Sequence, residues 1–232
     1  VAKDLAAELG TSEDTIRRDL RELAAAGKLQ RVHGGALPAS PAVGDLRARQ
    51  ALHGDDKVAL GRAGAALVRP GQMVILDGGT TARQVARHLA PGLRATIVTH
   101  SPTVAVEAAA HPDLEIVMLG GRLFRHSMVN VGAAVIDAAS RLRADLYFLG
   151  VTGVHPEAGL STGDGEEAAV KRALHERAAE TVVLASPEKL MAASAYVVAP
   201  IKAASLVLVP AATPERTLRA LRAGGVTVRR VS

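Results

Sequence analysis

Beyond residue 50 short apolar runs alternate with helix-like stretches, and this alternation limits the possible folds more than any other feature. MVIL at 73–76, TIVT at 96–99, EIVML at 115–119, LYFL at 146–149, TVVLA at 181–185 and LVLV at 206–209 are the apolar runs. Between them, 57–68, 80–90, 102–110, 133–142, 165–179 and 214–223 read as helices. Strands that are apolar throughout are buried on both faces, which points to a mainly parallel sheet covered by helices. An α/β domain is therefore expected over 51–232. The stretch 38–50 (PASPAVGDLRARQ), with two prolines, a glycine and little apolar content, is expected to be a linker.

Residues 1–37 follow a different pattern. Leu5, Ala6 and Leu9 form an apolar face that stops at Gly10, and Ser12 is placed to cap a second helix. Ile16, Leu20, Leu23 and Ala24 recur at i, i+4, i+7 and i+8 until Gly27. Leu29–Val32 and Ala36–Leu37 are expected to pair across His33-Gly34-Gly35. Small Ala6, Gly10 at the turn and Ile16 behind it have the spacing of a helix-turn-helix, which presents the start of its second helix to the major groove. That start carries Ser12, Glu13, Asp14, Thr15, Arg17 and Arg18, and arginine grips guanine edges or phosphates with two parallel bonds. Formal net charge is +5 overall; residues 1–16 carry −3 and residues 17–33 carry +3. On spacing and charge alone, a helical hairpin with solvated arginines reads equally well.

The run SEDTIRRDLRELAAAGKLQRVHGGA, 12–36, closely resembles the winged helix-turn-helix of DeoR-family bacterial transcriptional repressors. The resemblance implies a recognition helix over 12–21 and a wing at Arg31-Val32-His33-Gly34-Gly35. It nominates Ser12, Glu13, Asp14, Thr15, Arg17, Arg18, Arg21, Arg31 and His33 for DNA contact. Readers of this family place a further helix ahead of Leu5. The domain over 1–37 is accordingly expected to lack its first helix and to be loosely held.

Asp77-Gly78-Gly79-Thr80-Thr81 lies between the 73–76 strand and a helix. Glycines let main-chain amides turn inward, hydroxyls add donors, and the helix start is electropositive, so the loop has the makings of a phosphate cradle. It is not a nucleoside-triphosphate loop, because the Lys-Ser/Thr pair is missing; a tight turn without a ligand is the bland alternative. Thr99-His100-Ser101, Gly120-Gly121-Arg122, Gly150–Gly153, Lys171 and Lys189 fall near other strand ends. ILDGGTT, IVTHS, MLGG, GLST at 159–162, EEAAVK at 166–171 and Lys189 are similar to the DeoR-family sensor domain. That implies a fold related to ribose-5-phosphate isomerase and a phosphorylated sugar effector. The effector-binding set is then Asp77, Gly78, Gly79, Thr80, Thr81, His100, Ser101, Gly121, Lys171 and Lys189, with Asp77 turned toward a sugar hydroxyl. His100 (commonly asparagine in the family, and placed to donate to phosphate), Ser186-Pro187-Glu188 and Val209-Pro210 depart from the family pattern.

Composition removes other classes. The absence of cysteine excludes disulfide scaffolds, thiolate zinc sites and cysteine nucleophiles. Aromatic residues at 2% argue against single-strand nucleic-acid binding, which needs stacking platforms. No apolar run approaches the ~18 residues of a membrane helix, and nothing in the first residues reads as a signal peptide; a cytoplasmic home is expected. The eight histidines include no HxH or HExxH pair, so no metal is expected, and no cofactor. The rival class is a sugar-phosphate isomerase-like enzyme, with Asp77, Glu166 or Glu167 and Lys171 as base and electrostatic partner. No GxSxG elbow appears. The reading favoured is a non-enzymatic repressor of sugar-metabolism genes. Its partners are double-stranded operator DNA and a phosphorylated sugar, with no membrane, and it works as a homodimer or homotetramer.

Overall fold

A computed structural model describes residues 2–32 and 35–231. At the amino-terminal end α1 (Ala2–Leu9) turns at Gly10, whose φ of +62° suits glycine, into α2 (Glu13–Ala25). Ser12 caps α2, its Oγ accepting the Thr15 N–H at 3.1 Å. β1 (Leu29–Val32) and β2 (Gly35–Pro38) pair antiparallel as the wing. Ala2, Ala6 and Ile16 are the buried apolar residues here, with Leu20 packed against them.

The stretch 38–50 is structured and packed, unlike a free tether. Ala39 bridges Ala193, the Ala193 N–H donates to Pro38 O at 3.3 Å, and Ser40 Oγ donates to Glu188 O at 3.2 Å. A 3-10 turn (Pro41–Val43) precedes α3 (Leu46–Gln50), which is capped by Asp45 Oδ1 accepting the Ala48 N–H at 2.8 Å. Ala42 and Leu46 are buried, and the Leu46 N–H donates to His126 O at 3.0 Å. Pro41 starts a helical turn, where its missing N–H costs nothing.

The remaining chain runs α4 (Gly54–Ala65), β3 (Met73–Leu76), α5 (Thr80–Arg87), β4 (Thr96–Thr99), α6 (Pro102–Ala108) and β5 (Glu115–Met118). A hairpin of β6 (Arg122–Phe124) and β7 (Val129–Val131) leads to α7 (Ala133–Ser140) and β8 (Ala144–Leu149). β9 (Gly153–His155), β10 (Gly159–Thr162), α8 (Gly165–His175), β11 (Ala178–Leu184) and β12 (Tyr196–Ala199) follow. β13 (Leu206–Pro210), α9 (Glu215–Ala223) and β14 (Val228–Val231) complete it.

Seven strands form one parallel sheet in the order β14-β13-β11-β8-β3-β4-β5. All six apolar runs lie in it. Successive side chains of a strand face opposite ways, and both faces are buried. Ile75, Tyr147, Val183 and Val207 join Val135 of α7, Leu174 of α8 and Leu218 of α9. Val74, Leu76, Phe148 and Leu208 join Leu60 of α4, Val85 of α5 and Val104 of α6. A sheet sandwiched between helices is the α/β class expected.

From β3 the chain adds strands outward to one side, β4 then β5; from β8 it adds β11, β13 and β14 to the other. Strand order thus reverses between β3 and β8. Such a reversal opens a crevice at the carboxyl ends of the two strands, where open α/β sheets hold ligands.

Candidate functional site

Asp77 follows β3 at the bottom of this crevice and is fully buried. Its N–H donates to Phe148 O at 3.2 Å, and its carboxylate is saturated by the protein. Oδ1 accepts from the Gly78 N–H at 2.7 Å, from His100 Nε2 at 2.8 Å and from Lys171 Nζ at 2.9 Å. Oδ2 accepts from Tyr147 OH at 2.7 Å, the Gly150 N–H at 2.9 Å and Lys171 Nζ at 2.9 Å. Burial alone would raise its pKa, but the Lys171 ammonium and the His100 bond outweigh burial and hold the carboxyl far below the usual carboxylate range. Burial and the Asp77 charge push the Tyr147 phenol up.

This junction needs two glycines. A Cβ on Gly78 would lie 2.1 Å from Val129 Cγ1, and one on Gly150 would lie 2.9 Å from Gly78 O. Close packing of the β3 and β8 ends onto β7 leaves no room for either.

Above the junction lies a narrow cleft. Gly78, Gly79, Thr80, Thr81, Lys171 and Lys189 line it. α5 opens on Gly79 (φ +111°) with no side chain capping it, so its first amides lack partners within the helix. Thr81 is 5% exposed, and its Oγ1 is buried without a hydrogen-bond partner. Lys189 donates a long bond to Leu184 O at 3.4 Å, and burial pushes its ammonium down to about 8.

Asp77, His100, Ser101 and Gly121 do not line the cleft. Asp77 has no free lone pair to offer a sugar hydroxyl. His100 is 0% exposed, with Nε2 on Asp77 and Nδ1 2.8 Å from Asn130 O, so both ring nitrogens are committed within the protein. Ser101 Oγ donates to Met128 O at 3.0 Å, holding the turn between β6 and β7. Gly121 lies against Val135 and Val131 O, where a Cβ would approach to 2.6 and 2.9 Å. These four brace the site from behind.

Six further charged or polar side chains line the cleft: Arg49, Ser127, Thr152, Thr162, Glu167 and Glu188. Ser127 Oγ donates to Glu167 Oε2 at 3.2 Å. Burial would raise the Glu188 carboxyl, but the Ser186 hydroxyl, bonded at 2.7 Å, and the Lys189 and Lys57 charges bring it down. Arg49 comes from the stretch read as a linker. The Asp45 cap three residues before Ala48 was the signal that a helix carries it. Among the described residues, no group of three or more His, Cys, Asp or Glu side chains is arranged to hold a metal ion.

In the amino-terminal domain Arg17 and Arg18 are 60% and 64% exposed on α2. Arg17 pairs with Glu13 at 2.8 Å, and Arg18 Nε lies 3.8 Å from Asp19. Arg21 and Arg31 are exposed, as is Asp14. The Ser12 and Thr15 hydroxyls lie 3.0 Å apart and are committed to the cap. His33, expected in the wing, lies outside the described residues.

A helix-turn-helix with a wing, followed by an α/β domain with a cation-lined crevice, defines a DNA-binding regulator with a sensor domain. Residues 2–41 match the DeoR-like helix-turn-helix domain and residues 52–209 the DeoR C terminal sensor domain. The chain belongs to the DeoR family of transcriptional regulators, and is not an enzyme. It is 33% identical to the HTH-type transcriptional regulator GlpR of Haloferax volcanii over 97% of this chain and 89% of that protein. It is 31% identical to the glycerol-3-phosphate regulon repressor of Escherichia coli K12 over 81% of this chain and 75% of the repressor. Among solved structures, the full-length sorbitol operon regulator SorC of Klebsiella pneumoniae aligns at a TM-score of 0.48 and 13% identity, covering 95% of this chain and 93% of SorC. Among the described residues no helix is long and apolar enough to cross a membrane.

Proposed function

We propose that the chain represses carbohydrate-metabolism genes and that a phosphorylated sugar, or a small phosphorylated relative, sets its affinity for operator DNA. The observation that carries this reading is the convergence of the uncapped α5 start, the unpartnered Thr81 hydroxyl and the buried Lys189 at the strand-order reversal. Amides at a helix start and a desolvated ammonium favour a dianion over a neutral polyol. A ligand that binds one arrangement of readers better than another shifts operator affinity by that difference. Symmetric operators are read by paired readers, so the working unit is a homodimer or homotetramer in the cytoplasm.

A thermal-shift screen of matched sugars and sugar phosphates on the full chain tests this. The relative named for the glycerol-3-phosphate regulon places glycerol 3-phosphate and glycerol first in the panel. Only phosphorylated members are expected to raise the melting midpoint, because only ligands that prefer the folded state do so. Equal shifts from both members of every pair would reduce the cradle to a turn.

A further inference from the structure

We infer that Arg49 is a phosphate ligand of the effector, so that the strap leading out of the wing is itself a wall of the effector site. The inference rests on the cleft being a phosphorylated-effector site, and adds who holds the phosphate and from where.

Arg49 Nη1 lies 3.8 Å from the point a Cβ would occupy on Gly79, which places the guanidinium over the start of α5. Its Nη2 is buried and has no hydrogen-bond partner; its Nε makes one long bond, 3.4 Å to Asp45 O. Burial pushes the guanidinium pKa down, while Glu167, Asp45 and Asp77 oppose that only through space. Of the two other cations that line the cleft, Lys171 is spent on Asp77 and Lys189 donates one long bond to Leu184 O. A guanidinium nitrogen buried without a partner is costly, and a tetrahedral dianion matches the planar fork. Thr81 Oγ1, also buried without a partner, and the Lys189 ammonium line the same cleft.

Arg49 is also mechanically fixed. Lys57 Nζ donates to Arg49 O at 2.6 Å and to Leu52 O at 2.5 Å, binding the end of α3 to α4. Eleven residues earlier, Pro38 ends wing strand β2. A phosphate that pulls on Arg49 therefore pulls on the segment that carries the wing.

The test uses the full chain and inorganic phosphate, by calorimetry, with hydrogen exchange of residues 39–50 as a second readout. Arg49→Gln is expected to weaken phosphate at least about tenfold, with Arg49→Lys intermediate because it keeps charge but loses the fork. Arg47→Gln, on the exposed neighbour outside the cleft, is expected to bind as the parent does. Phosphate should slow exchange across 39–50 in the parent and not in Arg49→Gln. If Arg49→Gln proves unfolded, the Arg49→Lys arm decides: parental affinity there overturns the inference. Parental phosphate affinity in Arg49→Gln alongside a loss in Thr81→Val overturns Arg49 as a ligand and leaves the cradle standing. A parent that binds neither phosphate nor any phosphorylated sugar removes the cradle itself, and this inference with it.

Discussion

Asp77 and Lys171 carry opposite charges out of water together, and both oxygens of Asp77 accept from the Lys171 ammonium. Asp77→Asn leaves a buried ammonium uncompensated, and is expected to destabilise the folded chain by about 3–5 kcal/mol in urea unfolding. The carboxyl is held below its ordinary 3.8 in the folded state, so below that value the unfolded chain binds more protons. Its contribution is present above the unfolded pKa and is lost as pH falls toward the depressed folded one. Unfolding free energy should therefore decline from about pH 5 downward, and less steeply in Asp77→Asn. An identical slope in both proteins would remove Asp77 as the source. Lys189 acts at the other end of the scale. Its ammonium, pushed down to about 8, is half neutral at that pH, whereas a phosphate monoester is already dianionic above about 6. Phosphate affinity should fall as pH rises through about 8, and the fall should vanish in Lys189→Met; calorimetry across that range checks it.

Among the elements, α2 carries the sharpest expectation for DNA. Arg17 and Arg18 project from an exposed face of a helix whose first turn is pinned by the Ser12 cap. Replacing a phosphate-contacting arginine with alanine should reduce the salt slope of DNA binding by about one, while replacing a base-reading one should cost ~1–3 kcal/mol at one operator position. If Arg17→Ala and Arg18→Ala both leave a gel-shift titration unchanged, α2 is not the reading helix. Five of the six apolar runs lie in inner strands and were legible because a strand buried on both faces must be apolar throughout; β5, at the edge with Glu115 and Met118 exposed, was legible from Ile116 and Val117. β14 was not, because VRRV buries only Val228 and Val231. The short strands β6, β7, β9 and β10 escaped because three or four residues give too little pattern. In the site, the glycine-hydroxyl loop was visible as local chemistry. Whether Asp77 or His100 faces the ligand depends on partners 23 to 94 residues away in sequence, which no local pattern encodes. Arg49 was missed for the related reason that a polar, proline-containing stretch is anchored by only two buried apolar residues, Ala42 and Leu46.

Over the whole molecule, stability is unevenly distributed. The sheet is packed by two extensive apolar clusters, whereas the reader rests on Ala2, Ala6 and Ile16, with Leu9 66% exposed. Local opening follows the density of buried apolar contacts. Amides of residues 5–24 are expected to exchange with solvent well before those of β3, and equal protection of the two would contradict this.

The crevice at β3 and β8 arises from the order in which the chain lays down its strands, so no single side chain can abolish or create it. Its walls are drawn from the strap, the α5 start, the β6–β7 turn, the β8 end, α8 and the 186–189 turn. Each of these segments can change its residues while the others keep theirs. A scaffold of this kind separates having a binding place from choosing what is bound, and lets the second be rewritten one segment at a time.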